Sequence, residues 1–201
     1  MMKSSTLLNI ILENIDEHKK VINSLNNIQI KKINEFCKII LESIKKNGTI
    51  YWCGNGGSAS DSQHLAAELI GRYKSNRKPL RSISLNADTS VLTCISNDFG
   101  YEEIFSRQID ALAQKNDILI VISTSGNSTN ILKVIKTAKE KKIKVIGLLG
   151  NDGGKCKKIL NKMLIINSKS TARIQEMHIM VGHIICDVIE REYGIVEQKK
   201  K

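Results

Sequence analysis

The first side chains in this sequence whose spacing could support metal binding or proton transfer are a histidine and a glutamate four residues apart. Positions i and i+4 of a helix project to the same side, so His64 and Glu68 would lie together there. An imidazole and a carboxylate in this arrangement can ligate a metal or transfer protons. A hydrogen-bonded pair on a helix surface is the commoner explanation of the same spacing. The residues around the pair must therefore decide between these interpretations.

A glycine-rich turn directly precedes the helix that carries this pair. The turn follows an apolar, strand-like run at residues 49–53 and consists of Gly54-Asn55-Gly56-Gly57-Ser58. Glycines and small polar residues at a strand-to-helix junction can bring several backbone N–H groups to one anion or hydroxyl. One short stretch therefore offers a substrate cradle beside a pair of reactive or metal-binding groups.

A second polar loop follows the apolar run 118–122 and precedes another predicted helix. Its sequence is Ser123-Thr124-Ser125-Gly126-Asn127-Ser128. Hydroxyls and backbone N–H groups at a helix start suit a phosphate dianion. Helix capping is the alternative, but one cap needs one such residue, whereas four hydroxyls flank this glycine. Neither a GxGxxG fingerprint nor a GxxxxGK[ST] loop occurs, so the sequence does not support a nucleotide cofactor.

The last predicted helix supplies possible partners for the first pair. Gln175 and His183 are eight residues apart on broadly one side of that helix, separated by roughly 80° around its axis. A buried, hydrogen-bonded imidazole is the alternative interpretation of His183. His178 points to a different face, which predicts a structural role or a supporting one behind the site.

Apolar periodicity predicts the elements that must position these groups. Residues from about 5 to 47 show the periodicity of two helices, which end at Lys45-Lys46-Asn47-Gly48. Strand–loop–helix units follow. The predicted strands are 49–53, 81–85, 118–122, 144–149 and 163–166. The predicted helices are 59–73, 90–95, 103–113, 127–139, 154–160 and 171–193.

Short apolar strands that alternate with helices predict an α/β fold, a parallel five-stranded sheet covered by helices on both faces. Ligands of such sheets bind beyond the carboxyl ends of the strands, where both polar loops would lie. No repeat or linker interrupts the pattern, so we expect a single domain over residues 1–201. It comprises N-terminal helices (1–47), an α/β core with the last helix (48–193) and a basic tail (194–201).

Composition argues against several classes of function. The apolar runs are too short to span a bilayer, and the interrupted N-terminal stretch does not predict a signal peptide. The net charge of +11 is spread over many lysines and only 4% of residues are aromatic, so no nucleic-acid partner is expected. Five scattered cysteines indicate reduced thiols and a cytoplasmic location: Cys37, Cys53, Cys94, Cys156 and Cys186.

Four segments together form a more specific pattern than either loop alone: 53–58, 96–101, 122–128 and 173–176. In order and spacing they resemble the phosphosugar-binding SIS (sugar isomerase) family and, more narrowly, the bacterial phosphoheptose isomerases. The resemblance extends from about Ile10 to Tyr193. It implies a doubly wound SIS-type fold with an N-terminal helical extension.

The resemblance also implies an activity and a site. Members of that family convert D-sedoheptulose 7-phosphate to D-glycero-D-manno-heptose 7-phosphate, the first step toward ADP- or GDP-activated heptose. Their proposed acid–base pair corresponds to Glu68 and His183. Their substrate-contacting positions correspond to Asn55, Gly56, Gly57, Glu68, Asn97, Asp98, Ser123, Thr124, Ser125, Ser128 and Gln175. The family further implies a homotetramer with active sites between subunits, each subunit holding one Zn²⁺ at His64, Glu68, Gln175 and His183.

Two other functions occur on the same fold. Replication-initiator-associating proteins share the glycine-rich turn and a run like residues 172–178, but they lack counterparts of Glu68 and His183. Sugar-phosphate-sensing regulators usually carry an attached DNA-binding domain, and residues 1–47 show no convincing recognition helix for one. The sequence therefore favours the enzyme. Ala172 stands where some isomerases carry an acidic residue, and the glycan that uses the heptose stays open.

Overall fold

The computed structural model describes the backbone of residues 4–198 and the side chains of residues 6–194. It begins with two helices, α1 (Ser4–Asn23) and α2 (Asn27–Lys45). Asn26 and Gln29 form a reciprocal capping box that satisfies N–H groups at the start of α2. The predicted stop is confirmed, because α2 ends at Lys45 and Asn47 adopts the left-handed conformation, with φ of 59°.

Five parallel strands form one sheet in the order β2-β1-β3-β4-β5. The prediction of a parallel five-stranded sheet is confirmed, and each strand lies within one residue of its predicted bounds at both ends. The strands are β1 (Ile50–Gly54), β2 (Ser82–Ser84), β3 (Ile118–Ser123), β4 (Lys144–Gly150) and β5 (Met163–Ile166).

Six further helices connect or follow the strands. They are α3 (Gly57–Ile70), α4 (Thr89–Phe99), α5 (Ser106–Leu112), α6 (Thr129–Glu140), α7 (Cys156–Ile159) and α8 (Thr171–Gln198). Helix α8 runs through most of the predicted basic tail, and residues 199–201 lie outside the described residues. In the described part of the chain, no helix combines the length and the apolar character that crossing a membrane requires.

Three helix predictions were wrong in their bounds. The helix expected over 90–95 continues as α4 to Phe99. The helix expected over 103–113 is divided into a 3-10 turn, Tyr101–Glu103, and α5. The side chain of Glu103 contacts Lys133 and Ser106, which fixes the turn against neighbouring groups. Helix α3 ends at Ile70 rather than at residue 73, and the backbone N–H groups of residues 73–75 bind a carboxylate from another helix instead of helix carbonyls.

The sheet separates two apolar clusters. In β1, Ile50 and Trp52 point to the face covered by α2, α3 and α8, while Tyr51 and Cys53 point to the face covered by α4, α5 and α6. The chain leaves β1 toward the first face and β3 toward the second. Neighbouring strands whose connections diverge leave a crevice at their carboxyl ends. Both polar loops predicted from the sequence lie at this crevice.

Candidate active site

Two histidines and a glutamate from distant parts of the chain meet in one cluster. The Nε2 atoms of His64 and His183 are 2.9 Å apart, and His64 Nε2 lies 3.2 Å from Glu68 Oε1. His64 and Glu68 are one turn apart on α3, as their spacing predicts, and His183 comes from α8. Ligand atoms of the three side chains all lie within 4.8 Å of one another.

A glycine allows the two helices to approach closely enough to form this cluster. A Cβ atom at Gly182 would lie only 2.5 Å from Cδ1 of Leu65. Leu65 and Gly182 each adjoin a member of the cluster in sequence, so the contact between them sets the separation of His64 and His183. A larger residue at position 182 would require the Leu65 side chain or one of the two helices to shift.

The protonation state of His183 follows from its surroundings. Partial burial lowers the pKa of the imidazole, the neighbouring His64 lowers it further, and Glu68 opposes the shift. Because two ring nitrogens face one another at 2.9 Å, only one of them can carry a proton between them. A neutral imidazole can accept a proton or bind a metal, and both uses require the free lone pair.

Tyr73 is a member of the site that sequence reasoning missed. Its ring stacks on the imidazole of His183, with centroids 5.7 Å apart and an interplanar angle of 30°. Tyr73 lies in the segment after α3, where no local motif indicates a contact with α8. Its stacking limits the rotation of the His183 ring.

Gln175 lies near the start of α3. Its amide contacts the backbone at Gly57, where an added Cβ would lie 2.5 Å from Nε2 of the glutamine. The close approach explains why glycine occupies position 57. The contact ties α8 to the glycine-rich turn.

The glycine-rich turn presents Asn55 in a fixed orientation. Asn55 and Asn130 exchange two amide hydrogen bonds of 2.9 Å, and the hydroxyl of Tyr101 donates to Asn55 Oδ1 at 3.0 Å. The side-chain oxygen of Asn55 thus accepts two hydrogen bonds. Its side-chain nitrogen donates one, so the second N–H of the amide is left for a ligand. Asn130 is buried at the start of α6, and its role was not predicted from the sequence.

The serine-rich loop contains hydroxyls in two different situations. Ser123 Oγ accepts the N–H of Gly126 at 3.0 Å, and Ser125 Oγ accepts the N–H of Asn127 at 3.2 Å. Ser128 is the N-cap of α6 but makes no side-chain capping bond. Together with Thr124, these groups directly precede the first N–H groups of α6, and hydroxyls at a helix start are a common setting for anion binding.

Asn97 and Asp98 occupy the last turn of α4. Both are exposed, and Asn97 Nδ2 donates to Asp98 Oδ1 at 2.8 Å. Tyr101, three residues further on, bonds to Asn55 and so places this end of α4 beside the glycine-rich turn. The predicted substrate-contacting residues thus come from the glycine-rich turn, α3, α4, the serine-rich loop and α8.

The fold and the cluster together define an α/β protein of the SIS type. The SIS domain family model matches residues 14–150. Phosphoheptose isomerase from Helicobacter pylori (strain ATCC 700392 / 26695) is 51% identical over 187 residues, which is 92% of this chain and 97% of the relative. Phosphoheptose isomerase 1 from Campylobacter jejuni is 46% identical over 93% of this chain and 100% of the relative.

A solved structure shows the same fold. The phosphoheptose isomerase from Neisseria gonorrhoeae superposes with a TM-score of 0.87 at 38% identity, covering 92% of this chain and 99% of that one. This chain therefore belongs to the phosphoheptose isomerase family of SIS-domain proteins.

Proposed function

We propose that this protein is an aldose–ketose isomerase that converts D-sedoheptulose 7-phosphate to D-glycero-D-manno-heptose 7-phosphate. The observation that carries the proposal is the meeting of Glu68 with His183, in a protein whose two polar loops follow the carboxyl ends of β1 and β3. Membership of the phosphoheptose isomerase family supports the same reaction. The product would feed the synthesis of nucleotide-activated heptose for lipopolysaccharide, capsule or another glycan, and the reaction would take place in the cytoplasm.

The reaction moves a proton between two adjacent carbons through an enediol. It requires a base at one carbon and an acid at the oxygen or the other carbon. In this proposal one member of the acid–base pair is the carboxyl group of Glu68, whose side chain is 20% exposed. The other member is the imidazole of His183. Their ligand atoms lie within 4.8 Å, a separation that one substrate carbonyl and its neighbouring carbon can bridge.

The phosphate would bind in the serine-rich loop. Ser128 and Thr124 offer hydroxyls, and the start of α6 offers backbone N–H groups with a favourable helix dipole. The sugar hydroxyls would contact Asn55 and the backbone of the glycine-rich turn, with Asn97 and Asp98 at its side. The other substrate-contacting residues in this proposal are Gly56, Gly57, Ser123, Ser125 and Gln175.

The donor set of the cluster fits a zinc ion. Two imidazole nitrogens and one carboxylate oxygen are ligands that zinc takes in catalytic sites, where a further position stays open. We propose His64, Glu68 and His183 as ligands, with Gln175 completing the set implied by the family. When bound, zinc would polarise the substrate carbonyl and stabilise negative charge on its oxygen. Elemental analysis of protein prepared without added metal tests this part of the proposal.

A homotetramer is proposed from the character of α1. This helix contacts α8 through polar groups: Arg173 donates to Asn14 O at 2.6 Å, and His18 Nδ1 lies 2.7 Å from Glu176 Oε2. Most of its apolar side chains are left exposed, with Leu8 and Ile11 each 56% accessible. An apolar face of this kind indicates a contact between subunits. The family resemblance favours four subunits with shared active sites.

Product identification tests the proposed reaction. Purified protein is incubated with sedoheptulose 7-phosphate, and the sugar phosphates are separated and identified by NMR. The expected product is D-glycero-D-manno-heptose 7-phosphate, and unphosphorylated sedoheptulose should be a much poorer substrate. Unchanged sedoheptulose 7-phosphate, with zinc both present and absent, would contradict the proposal.

A further inference from the structure

A buried carboxylate on α8 holds the segment that follows α3. Glu190 lies seven residues, or about two turns, beyond His183. Its Oε2 accepts the backbone N–H of Tyr73 at 2.9 Å. Its Oε1 accepts those of Lys74 at 2.8 Å and Ser75 at 2.7 Å. Three successive backbone donors therefore converge on one side chain that is only 5% exposed.

Arg77 completes this arrangement from the same segment. Its Nε lies 3.3 Å from Glu190 Oε2, and the two side chains are 3% and 4% exposed. Its Nη2 donates to Glu68 O at 2.7 Å and its Nη1 to Leu69 O at 2.8 Å. These carbonyls belong to the last turn of α3 and have no partner within the helix. The ion pair thus joins α8, the end of α3 and residues 73–75.

The charge of Glu190 is retained despite its surroundings. Burial raises the pKa of the carboxyl group, but the three backbone N–H groups and Arg77 together lower it below its usual value. A buried carboxylate with all its partners in place is rigid, whereas loss of one partner leaves an uncompensated charge.

Both proton-transfer residues depend on the groups that this ion pair fixes. Tyr73, whose backbone is bound by Glu190, stacks on the ring of His183. Glu68, whose carbonyl is bound by Arg77, provides the carboxylate of the cluster. We infer that Glu190 and Arg77 are positioning residues that set the geometry between Glu68 and His183. This inference rests on the proposed isomerase function.

Glu190→Gln is the first test, because it keeps the shape of the side chain and removes its charge. We expect kcat for sedoheptulose 7-phosphate to fall by on the order of tenfold or more, since small misplacements of reacting groups are costly. KM should change less than about threefold, because the phosphate loop does not touch the ion pair. Tyr73→Leu should lower kcat in the same way while leaving the ion pair intact.

The second readout does not depend on activity. In protein with ¹³C-labelled histidine, ring protons of His183 are assigned by comparison with His183→Gln. Because the Tyr73 ring stacks on this imidazole, Glu190→Gln and Tyr73→Leu should shift these resonances in the same direction. Asp187→Asn is the matched control. It removes a contact to Lys74, which lies in the segment after α3, and a contact to Arg191, which lies on α8. We expect it to leave both kcat and the His183 resonances unchanged.

The outcomes separate this inference from the proposed function. A folded Glu190→Gln protein with wild-type kcat and wild-type His183 resonances would overturn the inference. If Glu190→Gln does not fold, Tyr73→Leu serves as the test. A wild-type kcat with unshifted His183 resonances in that variant would also overturn the inference. A wild-type protein without isomerase activity would instead refute the proposed function, while the resonance shifts would still test the positioning.

Discussion

Ser123 and Ser128 belong to the same loop, but their hydroxyls have different surroundings. Ser123 is buried and its oxygen accepts the N–H of Gly126, so part of its hydrogen-bonding capacity shapes the loop. Ser128 makes no capping bond, although serine at this position usually makes one. A ligand therefore has better access to the hydroxyl of Ser128 than to the oxygen of Ser123.

We expect Ser128→Ala to raise KM for sedoheptulose 7-phosphate by about tenfold, the equivalent of one lost hydrogen bond to a charged group. The midpoint of thermal unfolding should stay near that of the wild type, because the hydroxyl caps nothing. Asn26→Ala is the control, since it removes the capping box of α2 and should cost about 1 kcal/mol of stability without raising KM. Steady-state kinetics and thermal melts check both variants. A destabilised Ser128→Ala protein with unchanged KM would show that the hydroxyl is structural.

How much of the site could be predicted depends on whether its contacts are local. The proximity of His64 and Glu68 follows from helical spacing, and the polar loops follow from their position after apolar strands. Tyr73 and Asn130 could not be recognised, because their partners are more than seventy residues away. Asn130 had one available signal, its place at the start of the helix after the serine-rich loop.

At the scale of elements, the distinction between local and distant contacts explains which fold predictions were right. The inner strands β1 and β3 are buried along their whole length, so they appear in the sequence as continuous apolar runs with clear ends. The end of α3 was predicted three residues late, because local sequence does not show that Glu190 binds the N–H groups of residues 73–75. Helix ends set by distant side chains need the tertiary structure.

Helix α8 contains a buried histidine that should make stability depend on pH. Burial lowers the pKa of His178 to about 4, and the nearby backbone of Leu149 opposes the shift only in part. In the unfolded chain this pKa is near 6.5. Below pH 6.5 the unfolded state binds more protons than the folded state, so the free energy of unfolding falls as pH decreases toward 4.

We expect this histidine to cost about 2 kcal/mol of stability between pH 7 and pH 5. Urea unfolding at both pH values measures the difference. If the histidine packs well, His178→Gln is less stable than the wild type at pH 7. Its free energy of unfolding should nevertheless change less than that of the wild type between the two pH values. An equal pH dependence in both proteins would show that His178 is not held neutral in the fold.

At the scale of the whole molecule, the exposed face of α1 predicts association. Light scattering should give a mass of four times 22.5 kDa for the wild type. Leu8→Glu places a charge on the apolar face and should shift the protein to smaller species. Leu112→Glu is the matched control, because Leu112 is also about half exposed, at 47%, but lies on α5. A wild-type monomer, or equal effects of the two variants, would argue against this interface.

The central claim is that Glu68 and His183, which meet in one cluster, perform proton transfer on a bound sugar phosphate. The most direct test is the turnover of sedoheptulose 7-phosphate by Glu68→Gln, with substrate binding measured by calorimetry on the same preparation. We predict that turnover falls by at least about a hundredfold, the usual contribution of a positioned acid–base group, while binding changes only a few-fold. Near-normal turnover in a folded Glu68→Gln protein would contradict the account.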